Sequence, residues 1–200
     1  MTTASDIAKY IIFRFQDSEE PITNMKIQKL LYYVQGWHLG LYNIPAFTEE
    51  LQAWVHGPVQ HDVYREYQGY SWNPISDKII APALDEKIIK HIEEVLECYG
   101  GESAYTLEQM THKEWPWIEA RDDLSPNQRS NNIISLNTMK EYFSECVKNN
   151  EEQHNYTLNQ ETIKVLEQSQ RGIEINTYSS LDEMFKQINQ ELEAEGFGSR

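Results

Sequence analysis

Cysteine is scarce in this chain: Cys98 and Cys146 are its two thiols in 200 residues. Two are too few for a disulfide framework or a zinc knuckle. Each falls among apolar neighbours on an expected helix, where a cysteine behaves as a small packed hydrophobe. Long apolar runs are also missing. None approaches the roughly 18 residues that a membrane span needs. The N-terminal MTTASDIAKYIIFRFQ is amphipathic, carries Asp6 early, and lacks a basic leader, a long apolar centre and a cleavage site. It does not read as a signal peptide, and a cytoplasmic location is expected.

Basic charge is short as well. Lys and Arg number 17 against 32 Asp and Glu, a net charge of −15 and a pI near 4.8. DNA affinity rests on neutralising phosphates with Lys and Arg. No basic stripe exists here, and Lys26/Lys29 is the one notable pair in the central stretch, so direct nucleic-acid binding is not expected. The charge suits a basic partner whose encounter it would steer, or it serves solubility alone. Catalytic signatures are absent too: no GxSxG, no Walker loop, no CxxC and no HExxH. His56 and His61 are five apart across a corner, which is not the spacing of a zincin. No enzyme activity, cofactor or metal is expected. A hydrolase using His56 or His112 is the alternative from that class.

Aromatics, in contrast, are plentiful, with twelve Tyr and five Trp. They fit either a packed core or a binding face, since Trp and Tyr are typical interface anchors. Residues 21–59 look like the organising stretch. Thr23 can cap a helix on which Ile27, Leu30, Leu31, Val34, Trp37/His38 and Leu41 recur at helical spacing. On that pattern Lys26 and Lys29 fall to the solvent side. Gly36 and Gly40 each cost about 1 kcal/mol relative to Ala in a helix. Either another backbone approaches there, or Gly40 begins the unwinding. Leu51, Ala53 and Val55 alternate with polar or larger residues as in a short strand, Gly57-Pro58 breaks it, and Pro58 opens a new helix. The HGPV corner suggests that the His56 ring bonds a backbone group.

The remaining elements follow from caps and breakers. A first helix spans 3–16, capped by Thr3 or Ser5. KIIAPAL reads as a short extended piece. Asp85 opens a helix that Gly100-Gly101 stops, Ser103 opens another, Trp117-Ile118 begins a short turn, and Ser135 or Asn137 caps a last helix through Met139, Tyr142 and Phe143. From residue 148 the composition turns polar. The tail from Lys148 holds ten acidic and five basic residues and reads as a short helix, a Gly172 stop, an extended GIEIN and a helix with a Ser180–Glu183 capping box. The expected class is mainly α: a compact multi-helix domain over 1–147 with a small extended element, a linker over 148–156 and a helix–strand–helix tail over 157–200.

Two stretches carry a family likeness. The run from Met25 to His38, with Gln28, Lys29, Leu30, Tyr32 and Trp37, leads to Phe47, Ala53-Trp54 and His56-Gly57-Pro58-Val59. Thr111-His112, Pro116-Trp117 and the helix from Leu136 to Phe143 follow. Together they resemble the Panacea antitoxin domain, also called SocA-like and first described in phage-associated proteins. The likeness covers roughly residues 4–147. It implies a helical domain that binds and neutralises a toxin encoded beside it, as in type II toxin–antitoxin systems. Some relatives are proteolytic adaptors that deliver a toxin to a AAA+ protease. The tail, from Glu161 to Ser169, Arg171-Gly172 and Ser179 to Phe185, resembles the neutralising segment of RelB-type antitoxins. That likeness implies a RelE/ParE-like toxin held by Ile163, Leu166, Leu181, Met184, Phe185 and Ile188, with Ile173 and Ile175 adding a strand to a sheet edge. Self-association of the domain stays open.

Overall fold

Helix α2 (Asn24–Tyr42) sets the frame, and its sequence shows why. Thr23 lies in extended backbone and its hydroxyl accepts from the Lys26 N–H, relieving an orphan donor of the first turn. At the other end Asn43 sits in the left-handed region at φ 60° and returns its N–H to Leu39. Asn tolerates that conformation better than most residues. Between the caps, residues 26–36 are buried without a break. A helix buried all round is a core helix with neighbours on every side.

The computed structural model describes residues 2–18 and 22–149. Around α2 lie α1 (Ala4–Phe15), a hairpin of β1 (Leu51–Trp54) and β2 (Gly57–Gln60), α3 (His61–Tyr67), a 3₁₀ turn (Gln68–Tyr70), α4 (Glu86–Tyr99), α5 (Ala104–Thr111), α6 (Trp115–Arg121) and α7, which runs through residues 136–149. The fold is mainly α, with one small antiparallel sheet pairing Leu51 with Gln60 and Trp54 with Gly57. Residues 132–134 cover the outer edge of β1, through Ala53 N–H to Asn132 O (2.8 Å) and Ile134 N–H to Leu51 O (2.7 Å). No β1 edge is therefore left as a template for stray pairing. No helix among the described residues is long and apolar enough to cross a membrane.

Local signals set the remaining starts. Thr3 and Asp6 form a capping box on α1, Asp85 caps α4 and Ser103 caps α5. On α4, Ile88, Ile92 and Val95 point into the core while the charged face stays wet. Helix α7 crosses α2 at the two glycines. A Cβ on Gly40 would stand 2.8 Å from the backbone carbonyl carbon of Phe143, and one on Gly36 would enter the Phe143 ring. Close approach is therefore the reason for both glycines. Phe143 is 1% exposed and meets Tyr32, Tyr33 and Trp37 edge-on at 5.7, 6.4 and 5.2 Å.

Several expectations are corrected. Lys26 and Lys29 are buried, at 6% and 1% exposure, rather than turned to solvent. Pro58 does not open a helix: the hairpin closes through it and α3 starts at His61, with the Gln60 side chain as cap. Residues 78–84 form no strand. The turn expected at Trp117 is helix α6, with Pro116 in its first turn, where its missing N–H costs nothing. Cys98 is exposed rather than packed. The linker and tail assigned to 148–156 and 157–200 lie, from residue 150 onward, outside the described residues.

Candidate functional site

The residues of the expected signature gather where α2, the hairpin corner and α5–α6 meet. Lys29 is the centre. Its Nζ donates to the Pro58 carbonyl at 3.3 Å, and burial pushes its pKa down to about 7, with Glu108 pulling the other way. Gly57 lies over it at φ +93°. A Cβ there would stand 2.6 Å from Lys29 Cε and 2.9 Å from Thr111 Oγ1. Glycine is thus required by conformation and by space. Thr111 is buried and its hydroxyl donates back to Glu108 O at 2.9 Å.

Gln28 ties β2 to the same helix. Its Oε1 accepts from Gln60 N–H at 2.9 Å, and its amide donates to Asn24 Oδ1 at 2.9 Å. The chain before the hairpin is held likewise by Gln35, which accepts from Ala46 N–H and donates to Phe47 O. Leu30, Tyr32, Pro58 and Val59 are buried beside these groups. Such amides satisfy loop backbone that would otherwise be buried without partners.

On the α6 side, His112 stacks on Trp117 at 4.1 Å and 19°. Burial lowers the His112 pKa, and its Nε2 is buried with no hydrogen-bond partner. Trp117 Nε1 donates to Trp54 O at 3.0 Å, and Arg121 lies over the Trp117 ring at 5.0 Å. Arg121 also donates to the carbonyls of Ala53, Ser125, Pro126 and Gln128. One guanidinium, with its fixed fork of donors, thereby ties the hairpin to the loop after α6. Pro116 is buried in the first turn of the same helix.

Two of the expected residues stand apart. Trp37 donates to Tyr99 OH at 3.0 Å and packs on Phe143. His38 donates from Nδ1 to Ile44 O at 2.7 Å, closing the turn after α2. The His56 ring does not bond a backbone group: it meets the Glu108 carboxylate at 3.1 Å and its side chain is 61% exposed. The eight tail residues, Ile163, Leu166, Ile173, Ile175, Leu181, Met184, Phe185 and Ile188, lie outside the described residues.

Three members of the site are not among the residues the sequence singles out: Glu108, Glu114 and Arg121. Arg121 follows Trp117 by four residues, the spacing of neighbours on one helix face, and that signal could have found it. Glu114 is 8% exposed and accepts from Tyr33 OH at 2.9 Å. The Tyr32 hydroxyl is close enough to favour the ionised carboxyl but makes no well-aligned bond to it. Burial outweighs both and raises the Glu114 pKa to about 7. The opposite face of the hairpin opens on a groove of about 880 Å³ between β1, the corner, α3 and residues 127–131. Among the described residues, no group of three or more His, Cys, Asp or Glu is placed to hold a metal ion.

Lys29, Gln28, Gln35, Thr111 and Arg121 thus hold strand, corner and helix ends together. A helical core clamped onto a hairpin corner is the class that fold and site define, and similarity to known proteins gives it a family. The model of the family described as "Antitoxin SocA-like, Panacea domain" matches residues 27–118. Antitoxin SocA of Caulobacter vibrioides (strain NA1000 / CB15N) is 31% identical over 127 residues, covering 57% of this chain and 68% of the relative. The chain belongs to the SocA-like antitoxin family. No solved structure matches it.

Proposed function

We propose that this protein is a type II antitoxin that binds a cognate toxin encoded nearby and neutralises it by direct complex formation, without catalysis of its own. The observation that carries the reading is its similarity to antitoxin SocA across 127 residues. The use of the buried Lys29 and Arg121 as structural ties, with the half-buried Glu108 beside them, is consistent with a binding scaffold. The domain presents a rigid body, and the tail closes on the toxin through the apolar residues from Ile163 to Ile188. The net charge of −15 favours a basic, RelE/ParE-like toxin, whose approach it accelerates. A cytoplasmic complex is the setting this requires.

Co-expression with the neighbouring open reading frame tests the reading. A small basic protein, lethal alone and harmless when co-purified with this chain, is the expected outcome. A neighbour that does not bind, or is harmless alone, overturns it. A bound toxin that stays active but disappears in the presence of a AAA+ protease identifies an adaptor rather than an occluding antitoxin.

A further inference from the structure

The groove beside the hairpin corner has a composition unlike the rest of the chain. The protein carries 32 acidic residues and a net charge of −15. Among the described residues, none of those lining the groove is acidic. Arg129 supplies a full positive charge, and it has no ion pair or hydrogen bond among the described residues. His56 and His61 also line it, bonded to Glu108 and Asp62, which are not among the lining residues.

The apolar part is equally specific. Trp54 and Tyr64 meet edge-to-face at 4.9 Å. The indole N–H is already taken by Gln52 Oε1 at 2.8 Å, so Trp54 offers a ring surface rather than a donor. Val55 adjoins it. Such a shelf suits one aliphatic or aromatic side chain, buried at about 25 cal/mol per Å² of apolar area.

A small ligand with a polar edge, such as a nucleobase, is read by convergent groups in a desolvated pocket. Among the described residues, the buried side-chain atoms left without partners are Tyr32 OH, His91 Nδ1, His112 Nε2 and Glu114 Oε2, and none of these residues lines the groove. Its amides, Gln52 aside, are exposed and adaptable, as at Asn127 and Asn131. That pattern fits an extended chain better than a base.

We infer that this groove docks an acidic peptide segment, seating one apolar side chain on Trp54 and Tyr64 with a neighbouring carboxylate on Arg129. The inference rests on the groove alone and not on the antitoxin reading. It concerns a contact chemically opposite to the one that would hold a basic toxin.

The test uses the full chain and a fluorescein-labelled peptide in which glutamates flank a single phenylalanine. A matched peptide with lysines in place of the glutamates serves as control. Anisotropy should show saturable binding of the acidic peptide alone, weakening as salt rises from about 50 to about 300 mM because exposed charges are screened. Arg129→Glu should weaken binding at least about tenfold, since like charges now face each other. Arg129→Lys should retain most of it. Tyr64→Ser removes the shelf but keeps the backbone carbonyl that Asn24 holds, and it should weaken binding with little change in salt dependence. Circular dichroism confirms that each variant is folded. Equal binding of the lysine peptide, or an Arg129→Glu variant that binds unchanged, overturns the inference. Displacement of the peptide by adenosine monophosphate overturns it in favour of a nucleotide site. A neighbouring gene product that does not bind this chain, while the acidic peptide does, would refute the antitoxin reading and leave this one standing.

Discussion

Lys29 and Glu114 place two ionisable side chains in the interior with pKa values driven toward each other, and the consequence is a defined pH profile. The Lys29 value falls from 10.5 to about 7. Between those values the unfolded chain holds a proton that the folded chain has released, so stability rises with pH across that window. Glu114 is raised from 4.5 to about 7. There the folded chain holds the proton and the unfolded one does not, so stability falls as pH climbs from 4.5 to 7. A tenfold change in proton affinity is worth about 1.4 kcal/mol, so each limb spans on the order of a few kcal/mol. These two groups alone put a minimum near neutrality. Urea midpoints measured from pH 4 to 10 should show the rising limb flattened in Lys29→Met and the falling limb flattened in Glu114→Gln. Profiles parallel to wild type in both variants would refute the assignment. Lys29→Met should also be no less stable at neutral pH, because an isolated buried ammonium with one hydrogen bond is costly. Gly57→Ala is the opposite case. It combines a left-handed backbone strain of about 1–3 kcal/mol with a clash against Lys29 and Thr111, and it should lower the urea midpoint markedly.

At the scale of elements, the crossing of α2 and α7 supports a double-mutant test. Phe143→Ala should cost about 3–5 kcal/mol by opening a cavity. Gly36→Ala should be severe alone, because its new methyl enters the Phe143 ring. In the Phe143→Ala background the same methyl should be nearly neutral, giving a large favourable coupling. Gly40→Ala should not be rescued, because its clash includes the Phe143 backbone. Additive denaturation energies for the Gly36 pair would refute the close-approach account. These elements also show what is legible in the sequence. Thr23, Asp85 and Ser103 are caps, and a cap acts on its own next turn, so its effect is written locally. The burial of Lys29 is not local. It is decided when Gly57 and Pro58 fold back over α2, and no spacing within the helix reports that. Pro58 is ambiguous for the same reason: its fixed φ suits both a first helical turn and a strand, and only the pairing of Ala53 with Pro58 chooses. The Glu114 carboxyl is hidden from sequence because a lone Glu ahead of Trp115 reads as solvent-facing until Tyr33, far away along the chain, closes over it.

For the whole molecule, the excess of negative charge should act on the rate of association rather than on the strength of the final complex. Oppositely charged partners attract before they touch. That attraction raises the association rate well above the roughly 10⁵–10⁶ per molar per second of neutral pairs, and salt removes it over a screening length of about 8–10 Å near physiological ionic strength. Dissociation starts from close, partly desolvated contacts that salt screens far less. If the toxin is the basic protein proposed above, stopped-flow mixing with this chain should therefore show an association rate that drops steeply between about 50 and about 500 mM salt, while the dissociation rate changes little. A chain truncated after residue 147 loses ten acidic and five basic residues, including Lys148, and with them the expected clamp from Ile163 to Ile188. If the tail provides the holding contacts, its loss should raise the dissociation rate by orders of magnitude and abolish protection in cells, while the salt dependence of association persists in weaker form through the remaining net charge. If the truncated chain protects fully and releases the toxin no faster, the holding contacts belong to the helical domain, and the search for the toxin-binding face moves to the surface around α2 and the hairpin.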